Sequence, residues 1–484
     1  MSSIQITPVD EVFLKVECDD GLARDLYDFF SFTVPNAKFM PSVKNRYWDG
    51  KVRLFSIKTK KIYIGLLPYV DEFCRERGYT LDGIDLILGD KTRLNDEDVD
   101  YFVKSLDLPF QPRDYQLEAF KSVAQYGRQL LLSPTASGKS LIIYLILRWF
   151  EGEMRFTNCC KSVVIVPTTS LVEQMTKDFE EYGYKDKVCK IYHGQEVFDA
   201  PITITTWQSF SKAPKEVLQR FDVVIGDEAH LFKAQTLKGI LEKMKHTSVR
   251  VGTTGTLDGT EVHRLQLEGL FGPVKKVTTS AQLIEEGTIA KIDIQCIILK
   301  HEKCHKMTYQ EEMDYLVSNE KRNQFITNLV SSLKGNTLVL FQYVEKHGEV
   351  LWEMFNPMVS RMNGTLHYVY GGTDTEDREQ VREIVEKSKK KNNVILASYG
   401  TFSTGVNIKK IDNIVFASPS KSRIRNLQSI GRGLRKSEEK DSMRLFDIAD
   451  NLQNDNYTLN HLKERINIYN EEDFPYEILE FDLK

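Results

Sequence analysis

The sequence predicts an α/β protein: two parallel-sheet halves in tandem behind a small α/β N-terminal module. Three observations carry that prediction. Short buried-type runs rich in β-branched residues recur at 162–166, 202–206, 221–225 and 251–256, with helical stretches between them. After a change of character at Gly272-Pro273 a second set follows at 337–341, 366–369, 394–397 and 413–416. Between residues 130 and 150 an apolar run, a loop of small residues and a helix follow one another directly. At 484 residues the chain exceeds one ordinary domain, and 41% hydrophobic with 28% charged residues is a globular composition. The expected division is an N-terminal domain at 1–95, a first sheet domain at 96–290, a second at 291–455 and a tail at 456–484.

In the N-terminal module, 12–16 reads as a strand and 22–30 as a short helix. Asp49-Gly50 then lies at the centre of a hairpin signal. A two-residue loop there sets Trp48 opposite Lys51 and Arg46 opposite Arg53. Side chains alternate along strands, so Arg46, Trp48, Lys51 and Arg53 share one face and Tyr47, Val52 and Leu54 the other. A basic, aromatic face suits nucleic acid; it suits a solvated structural hairpin equally well. The charged, turn-rich residues 89–100 read as a linker.

The loop Ser133-Pro134-Thr135-Ala136-Ser137-Gly138-Lys139-Ser140 carries the clearest chemistry. Small residues let backbone N–H groups curl around phosphates, and a helix N-terminus adds partial positive charge. Lys139 reaches the phosphates, and the Ser140 hydroxyl suits Mg²⁺. The first loop position departs from the usual Gly or Ala, being Ser133. Upstream, Gln116 offers an amide donor and acceptor for adenine, with Arg113 beside it. Downstream, Asp227 and Glu228 end a strand, where ligands bind in an open parallel sheet. Asp227 suits the Mg²⁺ shell and Glu228 the attacking water. In the second half, Arg432 and Arg435 are spaced i, i+3, and their planar forks suit phosphate oxygens.

Net charge is −4 with pI near 6.2, so a nucleic-acid site must be a local basic patch. Of the seven cysteines none forms a C-x-x-C pair, and Cys296, His301, Cys304 and His305 form the main Cys/His cluster. Its spacing fits no usual zinc pattern, which leaves reduced, structural cysteines as the expectation. With no signal-like N-terminus and no apolar run near the ~18 residues of a membrane span, a soluble cytoplasmic protein is expected.

GKS at 138–140, VPTTSL at 166–171, DEAH at 227–230, TTGT at 253–256, SYGTFSTGVN at 398–407 and QSIGRGLR at 428–435 together resemble the motif set of superfamily-two helicases and translocases. The likeness covers about 350 residues in motif order. Within that superfamily, YWDGKVRL at 47–54 and the small domain carrying it make the chain most similar to a recombination helicase of phages, and hence to a host-cell cytoplasmic protein. The resemblance implies two RecA-like domains with ATP in the cleft between them. It implies ATP contacts at Arg113, Gln116, Pro134, Thr135, Ala136, Ser137, Gly138, Lys139, Ser140, Thr254, Gly405 and Asn407. Mg²⁺ would sit at Ser140 and Asp227. The catalytic set would be Lys139, Asp227, Glu228, Gln428, Arg432 and Arg435. Thr254, Gly405, Gln428 and the two arginines would couple the domains, and Thr168, Thr169, Thr206 and Ser398 would touch the strand.

The function these expectations define is an ATP-driven helicase, a monomer with replication or recombination proteins as partners. It would unwind or branch-migrate branched DNA such as R-loops, forks and four-way junctions. Its partners would be branched, single-stranded and duplex DNA, with RNA where hybrids form, and no membrane. The alternatives are a double-stranded DNA translocase and a strand-annealing protein that uses ATP as a switch.

Overall fold

The computed structural model describes residues 3–85, 94–152, 160–192, 199–359, 361–362, 364–387, 392–401, 408, 410–420, 422–434 and 440–483. It divides into two compact units, one of Met1–Ser133 with Gly138–Val277 and one of Pro134–Ser137 with Thr278–Lys484.

The first unit opens with β1 (Ser3–Pro8), β2 (Phe13–Glu17), β3 (Ser31–Thr33), β4 (Lys51–Arg53), β5 (Phe55–Ser56), β6 (Lys61–Tyr63) and β7 (Thr80–Asp82). Five of these form one sheet in the order β5-β6-β2-β1-β7, in which β1 and β7 run parallel and the other pairs antiparallel. β1 alternates exposed and buried residues, so Ile4 and Ile6 face the core with Leu14 and Val16 of β2. The helix Asp20–Phe29 closes that core with Leu22 and Leu26, and the Asp19 carboxylate accepts a hydrogen bond from the Leu22 amide at its start.

The expected hairpin is not formed. β4 pairs antiparallel with β3, while residues 45–48 follow the short helix Pro41–Lys44 without joining a sheet. The Tyr47 and Trp48 amides both donate to the Ser42 carbonyl, and Arg46 takes a left-handed φ of 59°. Two-residue alternation therefore fails before Asp49. Tyr47, expected on an apolar face, is 86% exposed, and the Trp48 indole N–H donates to the Lys51 carbonyl.

The expected linker is also corrected in part. From Asp96 to Ser105 the chain is helical, started by the Asn95 side chain accepting from the Asp98 amide. Phe102 on this helix stacks on Phe120 and meets Trp149 edge-on. The charges that suggested a linker line the exposed side and the acidic first turn.

The larger sheet of this unit contains β8 (Arg128–Leu132), β9 (Ser162–Val166), β10 (Cys189–Ile191), β11 (Ile202–Thr206), β12 (Val223–Asp227), β13 (Val249–Thr254) and β14 (Val274–Lys276). All seven are parallel, in the order β10-β11-β9-β12-β13-β8-β14. Central strands covered on both faces need continuous apolar runs, and β9, β12 and β13 are buried throughout.

The N-terminal sheet is fused to this larger one. Tyr63, Ile64, Leu66 and Leu67 share a single apolar core with Leu265, Leu267, Leu270 and Phe271. Arg128 on β8 donates to the Glu11 carboxylate at 2.6 Å and to its carbonyl at 2.8 Å. Tyr63 donates to Glu242, and Tyr69 to Glu268 at 2.6 Å. Burial and those carboxylates push both phenols well above the usual tyrosine range, so the donors stay protonated.

The second unit contains β15 (Lys291–Lys300), β16 (Thr337–Phe341), β17 (Leu366–Val369), β18 (Val394–Ser398), β19 (Asn413–Phe416), β20 (Ser442–Asn451) and β21 (Tyr476–Asp482). These too are all parallel, in the order β17-β18-β16-β19-β20-β15-β21. The segment expected to be a tail thus supplies the helix Tyr457–Glu471 and the edge strand β21. β21 escapes sequence recognition because an edge strand exposed on both faces carries charges where a central one carries valine.

In the Cys/His cluster, His301 is buried with Nε2 2.9 Å from Asp450 Oδ1, and Cys296 is buried on β15.

Candidate nucleotide and nucleic-acid site

Register places the chemistry of the first unit at the carboxyl ends of neighbouring strands. Asp227, last on β12, stands beside Thr253 on β13, whose hydroxyl donates to Asp227 Oδ1 at 2.7 Å. Thr254 stands beside Leu132, and its carbonyl accepts the Ser133 amide at 2.8 Å where the small-residue loop begins. Lys139, at the start of the helix Lys139–Glu151, donates to the Ser133 carbonyl at 3.1 Å. Ala136 and Gly138 take left-handed φ values of 66° and 78°, which bend the loop back on itself. The Ser137 hydroxyl ties it by donating to the Pro134 carbonyl at 2.7 Å.

Gln116 is buried against this loop: a Cβ added at Gly138 would strike its amide nitrogen. Its Oε1 accepts the Arg113 amide at 2.9 Å, which fixes the amide orientation at the start of the helix Asp114–Tyr126. Arg113 itself is exposed, its guanidinium on the Tyr115 hydroxyl at 2.9 Å.

Electrostatics mark the same spot. Burial, reinforced by the neighbouring Glu228, pushes the Asp227 carboxyl above the usual range, while Lys139 pulls it down. Two adjacent carboxylates and a hydroxyl on the next element are a hard, oxygen-rich donor set, and a divalent cation would relieve the repulsion within it. The Asp227 carboxylate and the Ser140 hydroxyl are both hard oxygen donors of the kind Mg²⁺ takes.

Glu228 adopts a left-handed φ of 51°, and its Oε2 lies 3.3 Å from His230 Nδ1. That nitrogen is 3.1 Å from Thr254 Oγ1. His230 thus joins the carboxylate expected to act on water to the threonine expected to couple domains. The residue pattern had assigned it no role, although its place as the last residue of DEAH was a usable signal. His263 extends the chain: its Nε2 lies 3.1 Å from the His230 carbonyl oxygen and its Nδ1 2.9 Å from Asp258 Oδ2.

The expected strand contacts also collect by register. Thr206 pairs with Val166, so Thr206 and the segment Thr168–Thr169 emerge side by side from β11 and β9. Thr168 caps the helix Thr169–Glu181, and Thr169 is exposed.

In the second unit, Ser398 ends β18 with its hydroxyl 2.8 Å from Thr401 Oγ1. Gln428 is half-buried on the helix Arg423–Gly433, which also carries Arg432 in its backbone. The Arg432 side chain, and Gly405, Asn407 and Arg435 entirely, lie outside the described residues.

On the N-terminal module, Arg46 and Lys51 are exposed and have no ion pair among the described residues. Arg53 differs: its guanidinium grips Asp49 through two hydrogen bonds and lies over the Tyr27 ring at 5.4 Å. The four residues do not share the single face that alternation predicted. A cavity of about 890 Å³ lies elsewhere, at the joint of the N-terminal sheet and the larger one, and none of the expected nucleotide residues line it.

A phosphate loop, a carboxylate pair at a strand end and two seven-stranded parallel sheets define an ATP-dependent motor of the helicase type. Residues 109–259 match the family described as type III restriction enzyme, res subunit, and residues 320–437 match the helicase conserved C-terminal domain. Residues 3–85 match the N-terminal domain of the DNA helicase UvsW. The ATP-dependent DNA helicase uvsW of Enterobacteria phage T4 is 30% identical over 96% of this chain and 96% of its own. The crystal structure of T4 UvsW covers the whole chain at 27% identity with a TM-score of 0.52. A putative helicase of a Sulfolobus islandicus filamentous virus is 25% identical over 71% of this chain and 65% of its own. The chain belongs to the UvsW family of superfamily-two DNA helicases. It uses ATP and binds DNA, and among the described residues no helix is long and apolar enough to cross a membrane.

Proposed function

We propose that this helicase remodels branched DNA, with the N-terminal module selecting the branch and the two RecA-like domains driving the strand. The observation that carries the reading is the shared core of the N-terminal sheet and the first motor sheet. A module fused in this way presents its surface at a fixed place on the motor unit. That surface includes Tyr47, exposed by 86%, with exposed Arg46 before it and exposed Lys51 four residues after it in the chain. An aromatic ring can stack on an unpaired base for about 1–3 kcal/mol, and the cations can neutralise phosphates. Compared with the expected set, Tyr47 takes over stacking from Trp48, which is half-buried, and Arg53 is committed to Asp49.

In the motor, Lys139 and the loop amides hold the phosphates and Gln116 meets the base. Mg²⁺, when bound, would neutralise phosphate charge from Ser140 and Asp227. Glu228 orients and deprotonates the attacking water, and His230 reports its position to Thr254. Gln428, Arg432 and Arg435 are assigned the coupling of hydrolysis to movement of the domains. Thr168, Thr169, Thr206 and Ser398 grip the strand backbone.

The second reading, a duplex translocase, is favoured by the match of residues 109–259 to a restriction-enzyme motor. ATP hydrolysis and strand separation measured on single strands, duplexes, forks, four-way junctions and R-loops distinguish the two. Branch remodelling requires junctions and R-loops to be unwound at concentrations where plain duplex is not. Equal hydrolysis on every duplex with no strand separation would leave the translocase.

A further inference from the structure

The Ser140 hydroxyl has a partner that no motif supplies. Tyr182 Oη lies 2.8 Å from Ser140 Oγ. The phenol is held firmly: its ring meets Phe110 edge-on at 5.6 Å and Tyr144 at 5.4 Å. Its backbone is fixed as well. Tyr182 ends the helix Thr169–Glu181, the Gly183 amide donates to the Glu180 carbonyl, and the Tyr184 amide donates to the Phe179 carbonyl. Together with the left-handed φ of 90° at Gly183, this is a Schellman closure.

The other end of the same helix is a strand contact in the proposed function. Thr168 caps it by accepting the Leu171 amide, with the Ser170 hydroxyl 3.0 Å from its own. One helix of 13 residues, roughly 20 Å long, therefore has a DNA-facing cap at one end and the partner of the metal-site hydroxyl at the other.

We propose that Tyr182 is a positioning residue for Ser140, and that the helix Thr169–Glu181 carries DNA occupancy to the Mg²⁺ site through it. The inference rests on the proposed roles of Ser140 and of Thr168 and Thr169. A hydroxyl that ligates a cation uses an oxygen lone pair, so its proton must go to an acceptor. Tyr182 Oη is placed to accept it, and a shift of the helix on DNA binding would move that acceptor. Such outer partners of metal ligands are worth about 10–100-fold in metal affinity.

Tyr182→Phe keeps the ring contacts and removes only the hydroxyl. Binding of a fluorescent, non-hydrolysable ATP analogue is titrated with Mg²⁺, with and without a saturating DNA single strand. In the unaltered protein DNA should lower the Mg²⁺ midpoint. In Tyr182→Phe the midpoint without DNA should rise about tenfold, and the DNA effect should shrink to less than twofold. Ser140→Ala combined with Tyr182→Phe should lose no more than Ser140→Ala alone. An unchanged midpoint with an intact DNA effect in Tyr182→Phe, or fully additive losses in the double variant, would overturn the inference. If DNA fails to move the midpoint even in the unaltered protein, the coupling half is overturned. If Ser140→Ala leaves the midpoint unmoved, the Mg²⁺ role of Ser140 fails, and this inference fails with it.

Discussion

The two seven-stranded sheets share an architecture but keep their charges in opposite places. In the first, Asp227, Glu228 and Lys139 lie at the strand ends, and burial, reinforced by Glu228, pushes the Asp227 carboxyl upward against the pull of Lys139. In the second, two charged clusters among the described residues lie sealed within the fold. Arg322 Nε holds both oxygens of Asp450 at 2.9 and 3.0 Å, and all of these side chains are fully buried. Arg465 holds Asp447 at 2.8 Å, and Tyr469 donates to the same carboxylate at 2.7 Å. A domain that must take up a polyanion and its cation keeps an unbalanced cluster at the ligand. A domain that transmits force can neutralise its charges internally and gain a rigid frame. The two units therefore have to fail differently when charges are removed.

The largest effect belongs to the unbalanced cluster. Lys139→Ala should reduce ATP hydrolysis about 10³-fold or more, read by steady-state phosphate release, with the fold unchanged by circular dichroism. Loss of folding instead would mean that Lys139 is structural and that the contrast is false.

Next comes the sealed network. Asp450→Ala leaves Arg322 and His301 buried without their carboxylate, which should cost about 3–5 kcal/mol of stability. Urea unfolding should show that loss, while a fluorescent nucleotide still binds the first unit. A loss below about 1 kcal/mol would mean that the second domain tolerates unpaired charge as an exposed site does.

Acid sharpens the comparison. His347 is buried, with Nδ1 2.9 Å from Ser418 Oγ and Nε2 3.2 Å from Asn323 Oδ1. Burial, and then Arg322, push its pKa down to about 3 from 6.5. The unfolded chain binds the proton first, so this stability is full above 6.5 and declines towards 3. The slope is about 1.4 kcal/mol per pH unit. Between pH 7.5 and roughly 4.5, His347→Gln should lose about 3 kcal/mol less than the unaltered protein in urea unfolding. Equal losses would place the acid sensitivity elsewhere.

The smallest effect lies on the N-terminal module. Arg46→Ala with Lys51→Ala should weaken branched-DNA binding and reduce the log–log salt slope by about two. Hydrolysis at saturating single strand should be unchanged. An unchanged slope would return those residues to a solvated surface.

Much of this contrast was legible in the sequence, and its limits have physical causes. Buried parallel strands such as Ser162–Val166 and Thr337–Phe341 stand out because both faces are covered. The phosphate loop and DEAH stand out because ligand chemistry restricts residue types at fixed spacing. The hairpin misled because β4, which follows Asp49-Gly50, pairs with the distant β3, which local alternation cannot reveal. β21 was missed because its partner β15 lies far back in the chain and its own residues are exposed. Arg322–Asp450 and Tyr182–Ser140 join residues far apart in sequence, each unremarkable alone.

The most direct test of the account is single-turnover hydrolysis by Glu228→Gln in the presence of DNA. This variant should bind ATP normally, cleavage should fall about 10²–10⁴-fold, and the complex should stay on DNA after ATP is bound. Cleavage at the unaltered rate would contradict it, and would remove the carboxylate pair of the first sheet from the chemistry.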